Sequence, residues 1–353
     1  MKIRIFGESH APEIGVEIEG VPKGTVIDWD ELQAFLDRRA PGNGQGGMST
    51  PRKEPDRVEF ESGIVCPSRS GKDSASPLSG KAESFPLRTD GNVIRAVIRN
   101  TNTRPQDYAN VQTVPRPGHA DYASWLQCGK IPTGGGKWSG RMTAPLCIAG
   151  GIALQMLKRR GVTIAAKVVR CGGVGCGGET PPPLDQIPEG DSVGGIVEVV
   201  ATGFPAGCGD VGTEGLESKL AAAFFGIPAV KGVEFGDGFR LADMLGSQAN
   251  DAFVLASPGS RLPSPASSPR VALRTNHCGG ILGGVSVGMP IVARLAFKPT
   301  PSIALEQDSV DLATMTPAKI TVKGRHDRCV AFRGAVAAEA AMAIVLVGEM
   351  VRG

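Results

Sequence analysis

The sequence lacks the marks of three large classes of proteins, namely nucleic-acid binders, secreted proteins and membrane proteins. Its 353 residues carry 38 lysines and arginines against 35 aspartates and glutamates, a formal charge of +3. This charge is too small and too dispersed for the basic face or stripe that a nucleic-acid binder normally has. Residues 1–20 alternate apolar and polar side chains and lack the long apolar run of a secretory signal. The most apolar stretch, 340–347, lacks the roughly 20 residues that span a bilayer. We therefore expect a cytoplasmic protein that binds neither nucleic acid nor membrane.

Common metal and nucleotide motifs are also missing. Eight cysteines without an export signal are expected to be reduced thiols. The spacing of Cys171 and Cys176 matches no usual zinc ligand pair, so we predict no metal. Gly71-Lys72 lacks the earlier glycine and the following hydroxyl of a P-loop. The glycines of residues 42–47 follow a predicted helix instead of joining a strand to one, so they are not a dinucleotide fingerprint.

The sequence does contain many strand-like stretches, separated by four helices. The predicted strands are 2–6, 16–19, 57–65, 93–99, 163–169, 195–202, 230–235, 281–295 in two pieces, and 320–322. The predicted helices run from the capping residue Asp28 to Arg39, from Thr143 to Arg160, from Glu214 to Phe225 and from Ala335 to Val351, with Gly161 and Gly226 as left-handed caps. Because strands and helices do not alternate regularly, we predict an α+β fold.

Domain organisation follows from the absence of a linker. No proline- or serine-rich segment divides the chain into two self-contained halves, so we predict a single domain, 1–353. Residues 66–84 and 257–269 are rich in serine, proline and glycine with little to bury, and we predict mobile surface loops there.

Each of the four histidines lies beside a glycine-rich or arginine-bearing turn. The segments are Phe6-Gly-Glu-Ser-His10, Arg116-Pro-Gly-His119-Ala-Asp121, Asn276-His277-Cys-Gly-Gly280 and Gly324-Arg-His326-Asp327. Histidine titrates near neutral pH, and glycine lets the backbone approach a ligand closely. This combination indicates an enzyme that performs acid–base chemistry on a small anionic molecule.

Taken together, these motifs resemble the chorismate synthase family, and the resemblance covers nearly the whole chain. Further matching segments are Leu36-Asp-Arg-Arg39, Arg52-Lys-Glu-Pro-Asp56, Asn100-Thr-Asn-Thr-Arg-Pro-Gln-Asp-Tyr108, Gly134-Gly-Gly136, Ala229-Val-Lys-Gly-Val-Glu-Phe-Gly-Asp-Gly-Phe239 and Lys298-Pro-Thr-Pro-Ser302. The resemblance implies a β-α-β sandwich of antiparallel sheets and long covering helices, assembled as a homotetramer. It also implies trans-1,4-elimination of phosphate from 5-enolpyruvylshikimate 3-phosphate to give chorismate, with reduced FMN and no net redox change.

The resemblance assigns roles to individual residues as well. His10 would protonate or hydrogen-bond the reduced flavin, His119 would donate a proton to the departing phosphate, and Asp327 would relay the substrate's proton near flavin N5. The implied substrate-binding residues are Ser9, Arg39, Arg116, Arg141 and Arg325, since guanidinium suits carboxylates and phosphate. The implied FMN-binding residues are Lys137, Trp138, Ser139, Gln248, Ala249, Gly283, Lys298, Pro299, Thr300, Pro301, Ser302 and Arg325.

The chain also departs from the family pattern. Gln45 and Met48 stand where many relatives carry further substrate-binding arginines. Arg52 and Lys53 are candidates for the patch that some relatives use to bind NADPH as a flavin reductant. Two alternatives to the lyase therefore stay open, a flavoprotein oxidoreductase and a catalytically impaired flavin-binding homologue.

Several residues of the motifs keep a structural alternative. Asp327 could serve only to hold Arg325 in place by an ion pair. His277 and His326 could bond the backbone around their turns instead of acting in catalysis. The sequence assigns no role to Arg333, because a more proline-rich segment stands there in the family.

Overall fold

The computed structural model describes residues 1–41, 47–50, 54–65, 87–101, 111–176, 187–255, 271–322 and 326–350. The helices in these ranges are α1 Trp29–Arg39, α2 Asp121–Cys128, α3 Thr143–Lys158, α4 Leu216–Phe225, α5 Gly246–Ala249 and α6 Ala331–Met350. The strands are β1 Lys2–Gly7, β2 Glu13–Glu19, β3 Val26–Ile27, β4 Glu59–Ser62, β5 Ile64–Val65, β6 Leu87–Thr89, β7 Ile94–Arg99, β8 Thr163–Cys171, β9 Val174–Gly175, β10 Gly195–Thr202, β11 Val230–Phe235, β12 Phe253–Leu255, β13 Val271–Leu273, β14 Ile281–Leu282, β15 Val285–Ser286, β16 Ile291–Phe297, β17 Gln307–Asp311 and β18 Thr316–Ile320. The predicted loops 66–84 and 257–269 lie outside the described residues.

Two antiparallel sheets form the outer layers. One has the strand order β1-β2-β7-β4 and the other the order β11-β16-β10-β8-β9. In β2, Ile14, Val16 and Ile18 are fully buried, whereas Glu13 and Glu17 on the opposite face form ion pairs with arginines of β7. This alternation gives the sheet one apolar face toward the core and one charged face toward solvent.

Two long helices fill the space between the sheets. α3 packs against β2 and β7 of the first sheet, and α6 packs against β8 and β10 of the second. The two helices also pack on each other where Gly150 faces Ala340, since a Cβ at Gly150 would lie 2.2 Å from the Ala340 Cβ. One buried core extends from Ile14 to Val347 through both layers. The predicted fold class, a β-α-β sandwich with antiparallel sheets, is therefore confirmed.

The composition of α6 follows from its central position. By length and apolar composition it could cross a membrane, but 72% of its most apolar window is buried inside the protein. Its Glu339 accepts a hydrogen bond from the backbone N–H of Ala166 at 2.8 Å and pairs with Arg38 of α1 at 2.8 Å. These contacts identify α6, in this structure, as a core helix that ties α1 to β8.

Three predicted helix ends can be compared with the structure. Asp28 caps α1, because its carboxylate accepts a hydrogen bond from the Glu31 N–H at 2.9 Å, and Gly161 after α3 has the predicted left-handed backbone, with φ of 79°. The prediction for Gly226 was wrong, since its φ is −68°. The helical hydrogen bonds continue through Ile227, so the chain reverses later, at Ala229 with φ of 75°.

Candidate active site

A cavity of about 480 Å³ opens where several distant segments meet. It lies between the loops that precede α2 and α3, the connection from α4 to β11, the segment after β16 and the start of α6. The predicted site residues that line it are Arg116, His119, Lys137, Trp138, Ser139, Arg141, Lys298, Thr300, Pro301, Ser302 and Asp327. Its volume falls in the usual range for small-molecule sites, about 300–1,000 Å³.

The lining of this cavity combines positive charge with apolar surface. Among the described residues, the lysines and arginines of the lining are Arg116, Lys137, Arg141, Lys298 and Arg333, and the carboxylates are Glu54 and Asp327. The larger apolar side chains are Trp138, Phe225, Ile227, Pro228, Val230 and Val330. The excess of cations favours an anionic ligand, and the apolar walls favour one with an aromatic or aliphatic body.

A turn of three glycines separates the two candidate catalytic histidines. Gly134, Gly135 and Gly136 all have positive φ, at 62°, 86° and 51°. A Cβ at Gly134 would lie 2.1 Å from the His10 Cε1, and a Cβ at Gly135 would lie 3.0 Å from the His119 Cε1. Glycine is therefore needed both for the backbone conformation and for the close approach of the two imidazoles.

Ser9 and His10 are held against this turn from behind. Ser9 is buried, its hydroxyl donates to the Gly134 carbonyl at 3.1 Å, and its backbone N–H donates to the Gly136 carbonyl at 3.3 Å. The His10 Nδ1 lies 3.2 Å from the Ser9 hydroxyl. Neither residue lines the cavity directly. His10 instead abuts the turn that forms the wall.

Arg116, His119 and Asp121 form one hydrogen-bonded group next to Gly135 of this turn. The Arg116 guanidinium donates to both carboxylate oxygens of Asp121, at 2.7 and 2.8 Å, and to the Ser302 hydroxyl at 2.9 Å. The His119 Nδ1 lies 2.6 Å from the Asp121 carboxylate. Burial raises the pKa of Asp121, but the hydrogen bonds from Arg116 and His119 outweigh burial and hold that pKa well below its usual value. Burial is also the main reason why the pKa of His119 is lowered, although Asp121 opposes the change.

Lys298 connects this group to the segment after β16. Its ammonium donates a hydrogen bond to the Gly118 carbonyl, next to His119, and its backbone N–H donates to the Ala229 carbonyl at 2.9 Å. Burial lowers the pKa of Lys298, and the nearby Lys231 lowers it further. Two residues on, the buried Thr300 hydroxyl has no hydrogen-bond partner among the described residues. A buried polar group of this kind fits a ligand that completes its bonding.

A buried ion-pair network supports Arg141. Asp56 is fully buried and pairs with both Arg39, at 2.7 Å, and Arg141. Burial raises the pKa of Asp56, but the charges of the two arginines outweigh it and lower that pKa overall. Arg39 has no exposed surface and does not line the cavity. In this structure it lies beneath Arg141, on the far side of the shared carboxylate.

Asp327 is held in the cavity wall by three contacts. One carboxylate oxygen accepts from the Thr50 backbone N–H at 2.8 Å and lies 3.5 Å from the Ser49 hydroxyl. The other oxygen accepts from the Arg333 guanidinium at 3.0 Å, and Arg333 also donates to the Arg39 carbonyl at 3.0 Å. Arg333, whose role the sequence left open, therefore contacts both Asp327 and the α1 terminus.

Other predicted site residues do not line the cavity. Gln248 is exposed and accepts from the Leu245 backbone N–H at 3.1 Å. Ala249, Gly283 and Pro299 do not line the cavity. Met48 is fully buried in the core. Four residues named from the sequence, Gln45, Arg52, Lys53 and Arg325, lie outside the described residues.

The remaining histidines occupy different environments. His277 lies away from the cavity, where its Nδ1 is 2.8 Å from the Asp237 carboxylate and its backbone N–H donates to Asp251 at 2.8 Å. These contacts join two turns, which agrees with a structural role. His326 lines the cavity next to Asp327.

The sequence reasoning missed three carboxylates of the site. Asp121 and Asp56 are buried behind the arginines that line the cavity. Glu54 lines the cavity itself, 3.6 Å from the Arg141 guanidinium. All three belong to motifs already recognised, Arg116–Asp121 and Arg52–Asp56. The acidic residue in each arginine-bearing motif was the available signal, because a buried arginine requires a counter-charge.

Comparisons with known proteins agree on one family. A family model described as chorismate synthase matches residues 1–351. The chorismate synthases of Lancefieldella parvula and Methanothermobacter thermautotrophicus are 41% and 39% identical to this chain, cover 99% of it, and are themselves covered to 94% and 92%. A crystal structure of chorismate synthase superimposes with a TM-score of 0.67 at 22% identity, over 99% of this chain and 91% of that one. At that identity the superposition shows the shared fold alone.

Proposed function

The chain belongs to the chorismate synthase family, whose members are lyases of aromatic amino-acid biosynthesis. From this premise we propose that it eliminates phosphate from 5-enolpyruvylshikimate 3-phosphate in a trans-1,4 reaction that gives chorismate. The observation that carries the proposal is the position of His119, which lines a cation-rich cavity beside Arg116 and Lys298. A proton donor next to anion-binding groups is what the departure of a phosphate requires.

The cations of the cavity suit the three anionic groups of this substrate, two carboxylates and a phosphate. Arg141 offers a buried Nη2 that makes no hydrogen bond among the described residues and lies 3.6 Å from the Glu54 carboxylate. Lys137 is exposed, with its ammonium 4.5 Å above the Trp138 ring. Arg116 already bonds Asp121 and Ser302, so it contributes mainly its charge. We assign substrate binding to Arg141 and Arg116, and leave Lys137 and Lys298 to the cofactor.

Two groups would move the protons of the reaction. The bond between the ring carbon and the phosphate oxygen breaks, and a proton leaves the ring carbon at the other end of the new diene. His119 would donate a proton to the departing phosphate through Nε2, because Nδ1 faces Asp121. Asp327, fixed by Thr50 and Arg333, would take part in removing the ring proton.

The same cavity has features that fit reduced FMN. When bound, a reduced flavin supplies electron density to the carbon–oxygen bond that breaks. The segment Lys298–Ser302 and the residues Lys137 to Ser139 would hold it, with the Thr300 hydroxyl and the Lys298 ammonium near its phosphate and the Trp138 ring beside its apolar part. The resemblance also implies a hydrogen bond from His10 to the flavin, but in this structure His10 lies behind Gly134, so that role stays a prediction. Roles for Gln248, Ala249 and Gly283 stay predictions.

Four further parts of the proposal depend on the sequence and the family. The continuous core supports a single domain, 1–353. Arg52 and Lys53 are proposed to bind NADPH as a flavin reductant. A homotetramer and a cytoplasmic location also stay predictions. Analytical ultracentrifugation would test the homotetramer, and turnover with NADPH as the only reductant would test the NADPH site.

Replacing His119 tests the proposed chemistry. We expect His119→Ala to lower kcat by about 10²- to 10⁴-fold, the usual contribution of a general acid, and to leave the affinity for FMN within about twofold. The matched control is His277→Ala, which removes a histidine away from the cavity and is expected to keep kcat. Unchanged kcat in His119→Ala would remove His119 from the mechanism.

A further inference from the structure

The orientation of His119 depends on a single buried carboxylate. Asp121 begins α2 with 1% of its surface exposed, and its carboxylate contacts both His119 and the Arg116 guanidinium. The Asp121 carboxylate also accepts a hydrogen bond from the Arg116 backbone N–H at 3.0 Å. None of the sequence-predicted roles includes this residue.

The distances around Nδ1 determine which nitrogen of His119 carries the proton. Nδ1 lies 2.6 Å from the Asp121 carboxylate and 3.1 Å from the Arg116 Nη2. If Nδ1 were unprotonated, its lone pair would face an anionic oxygen at 2.6 Å, which is strongly repulsive. A protonated Nδ1 instead donates to that oxygen, while Arg116 Nη2 donates to Asp121 at 2.8 Å. The shorter contact therefore assigns the proton to Nδ1.

We propose that Asp121 is a positioning residue that keeps the proton of neutral His119 on Nδ1 and so leaves Nε2 as the nitrogen that takes up and releases a proton. His119 lines the cavity, and its Nε2 lies beside the glycine turn, where a Cβ on Gly135 would be 3.1 Å away. The effect of this tautomer on catalysis rests on the proposed function. Without Asp121, Arg116 would be left to donate to Nδ1, and the proton of the neutral ring would move to Nε2.

Asp121 also favours the protonated ring. Among the described residues, the charged groups that act on His119 are Asp121 of α2, Arg116 of the preceding loop and Lys298 after β16, and Asp121 is the anion of the three. An anion stabilises the imidazolium and thereby raises the pKa of His119, whereas burial and the two cations lower it. Replacing Asp121 by the neutral asparagine therefore lowers the pKa of His119. Protonated His119 is then lost at a lower pH than in the wild type.

Nuclear magnetic resonance of the histidine nitrogens tests this role without requiring turnover. The chain has four histidines, so the ¹⁵N-labelled protein gives few imidazole signals, and His119→Ala identifies the one to follow. We expect the wild-type ring to carry its proton on Nδ1. Asp121→Asn is expected to move the proton to Nε2, to lower kcat by about 10²- to 10⁴-fold with a smaller change in KM, and to shift the pH profile of kcat to lower pH.

The matched control is Ser124→Ala on the same helix. It removes a buried hydrogen bond to the Lys130 carbonyl at 2.9 Å without contacting His119, and it should keep both the tautomer and kcat. A wild-type ring protonated on Nε2 would overturn the proposal even if Asp121→Asn does not fold. So would an Asp121→Asn protein that keeps the Nδ1 proton, whatever its kcat. If the wild type shows the expected tautomer but no lyase activity, only the proposed function fails.

Discussion

Replacing Gly134 by alanine tests how the glycine turn positions His10. The new Cβ would lie 2.1 Å from the His10 Cε1, whereas ordinary contact begins at 3.4 Å. The imidazole or the turn must therefore move by about 1.3 Å. A displacement of about 1 Å in an active site can lower turnover by about 100-fold. We expect Gly134→Ala to lose at least about that factor in kcat.

Backbone strain is a second effect of this substitution and must be separated from the first. Gly134 has φ of 62°, where a residue with a Cβ costs about 1–2 kcal/mol. Gly129 provides the matched control, because its φ is 67° and nothing lies within 4 Å of its added Cβ. Both variants should lose this strain energy, measured by denaturant titration, and Gly134→Ala should lose more because its Cβ also overlaps His10. Only Gly134→Ala should lose activity per folded enzyme.

The assay is anaerobic formation of chorismate from 5-enolpyruvylshikimate 3-phosphate with chemically reduced FMN, carried out on both variants at equal folded concentration. The reasoning is refuted if Gly134→Ala retains turnover within about threefold of Gly129→Ala. Equal loss in both variants would attribute the effect to strain, and it would contradict the role given to the His10 contact.

Further predictions concern the buried ion pairs. Asp56→Asn should destabilise the fold by about 3–5 kcal/mol, measured by denaturant titration, because it leaves the charges of Arg39 and Arg141 buried without their shared partner. Since the pKa of Asp56 is lowered in the folded protein, its contribution is present above its unfolded pKa and is lost as the pH falls through its folded pKa. The wild type should therefore lose more stability on acidification than Asp56→Asn, and equal losses would contradict this. Glu339→Gln should lower the free energy of unfolding by about 1–3 kcal/mol by weakening the pair with Arg38, while kcat per folded enzyme stays unchanged; a large loss of kcat would show that this pair also shapes the cavity.

Local patterns in the sequence predict much of the fold. Asp28 has a side chain that caps a helix, and the apolar residues that follow it recur at helical spacing, so α1 could be located closely. α2 was missed because it has eight residues and begins after Ala120, which provides no side-chain cap. The end of α4 was misread at Gly226, because a glycine after a helix permits a left-handed turn without requiring one.

For the candidate site, the sequence predicted the residues better than their contacts. Motifs identified most of the residues that line the cavity, but not how they are paired. Asp56 and Arg141 are 85 positions apart, and local spacing carries no information about such a contact. The burial of Arg39 beneath that pair follows from the packing of α1 and α3, and residue type alone does not show it. A motif can thus predict which residues belong to a site and still leave their separate roles open.

One measurement tests the central claim, that this cavity eliminates phosphate without net redox change. Purified protein would be mixed anaerobically with 5-enolpyruvylshikimate 3-phosphate and a stoichiometric amount of reduced FMN, and phosphate, chorismate and the flavin spectrum would be followed together. The account predicts many turnovers, with one phosphate released per chorismate formed and with the flavin still reduced at the end. Oxidation of one flavin per substrate consumed, or bound FMN with no phosphate released, would contradict it.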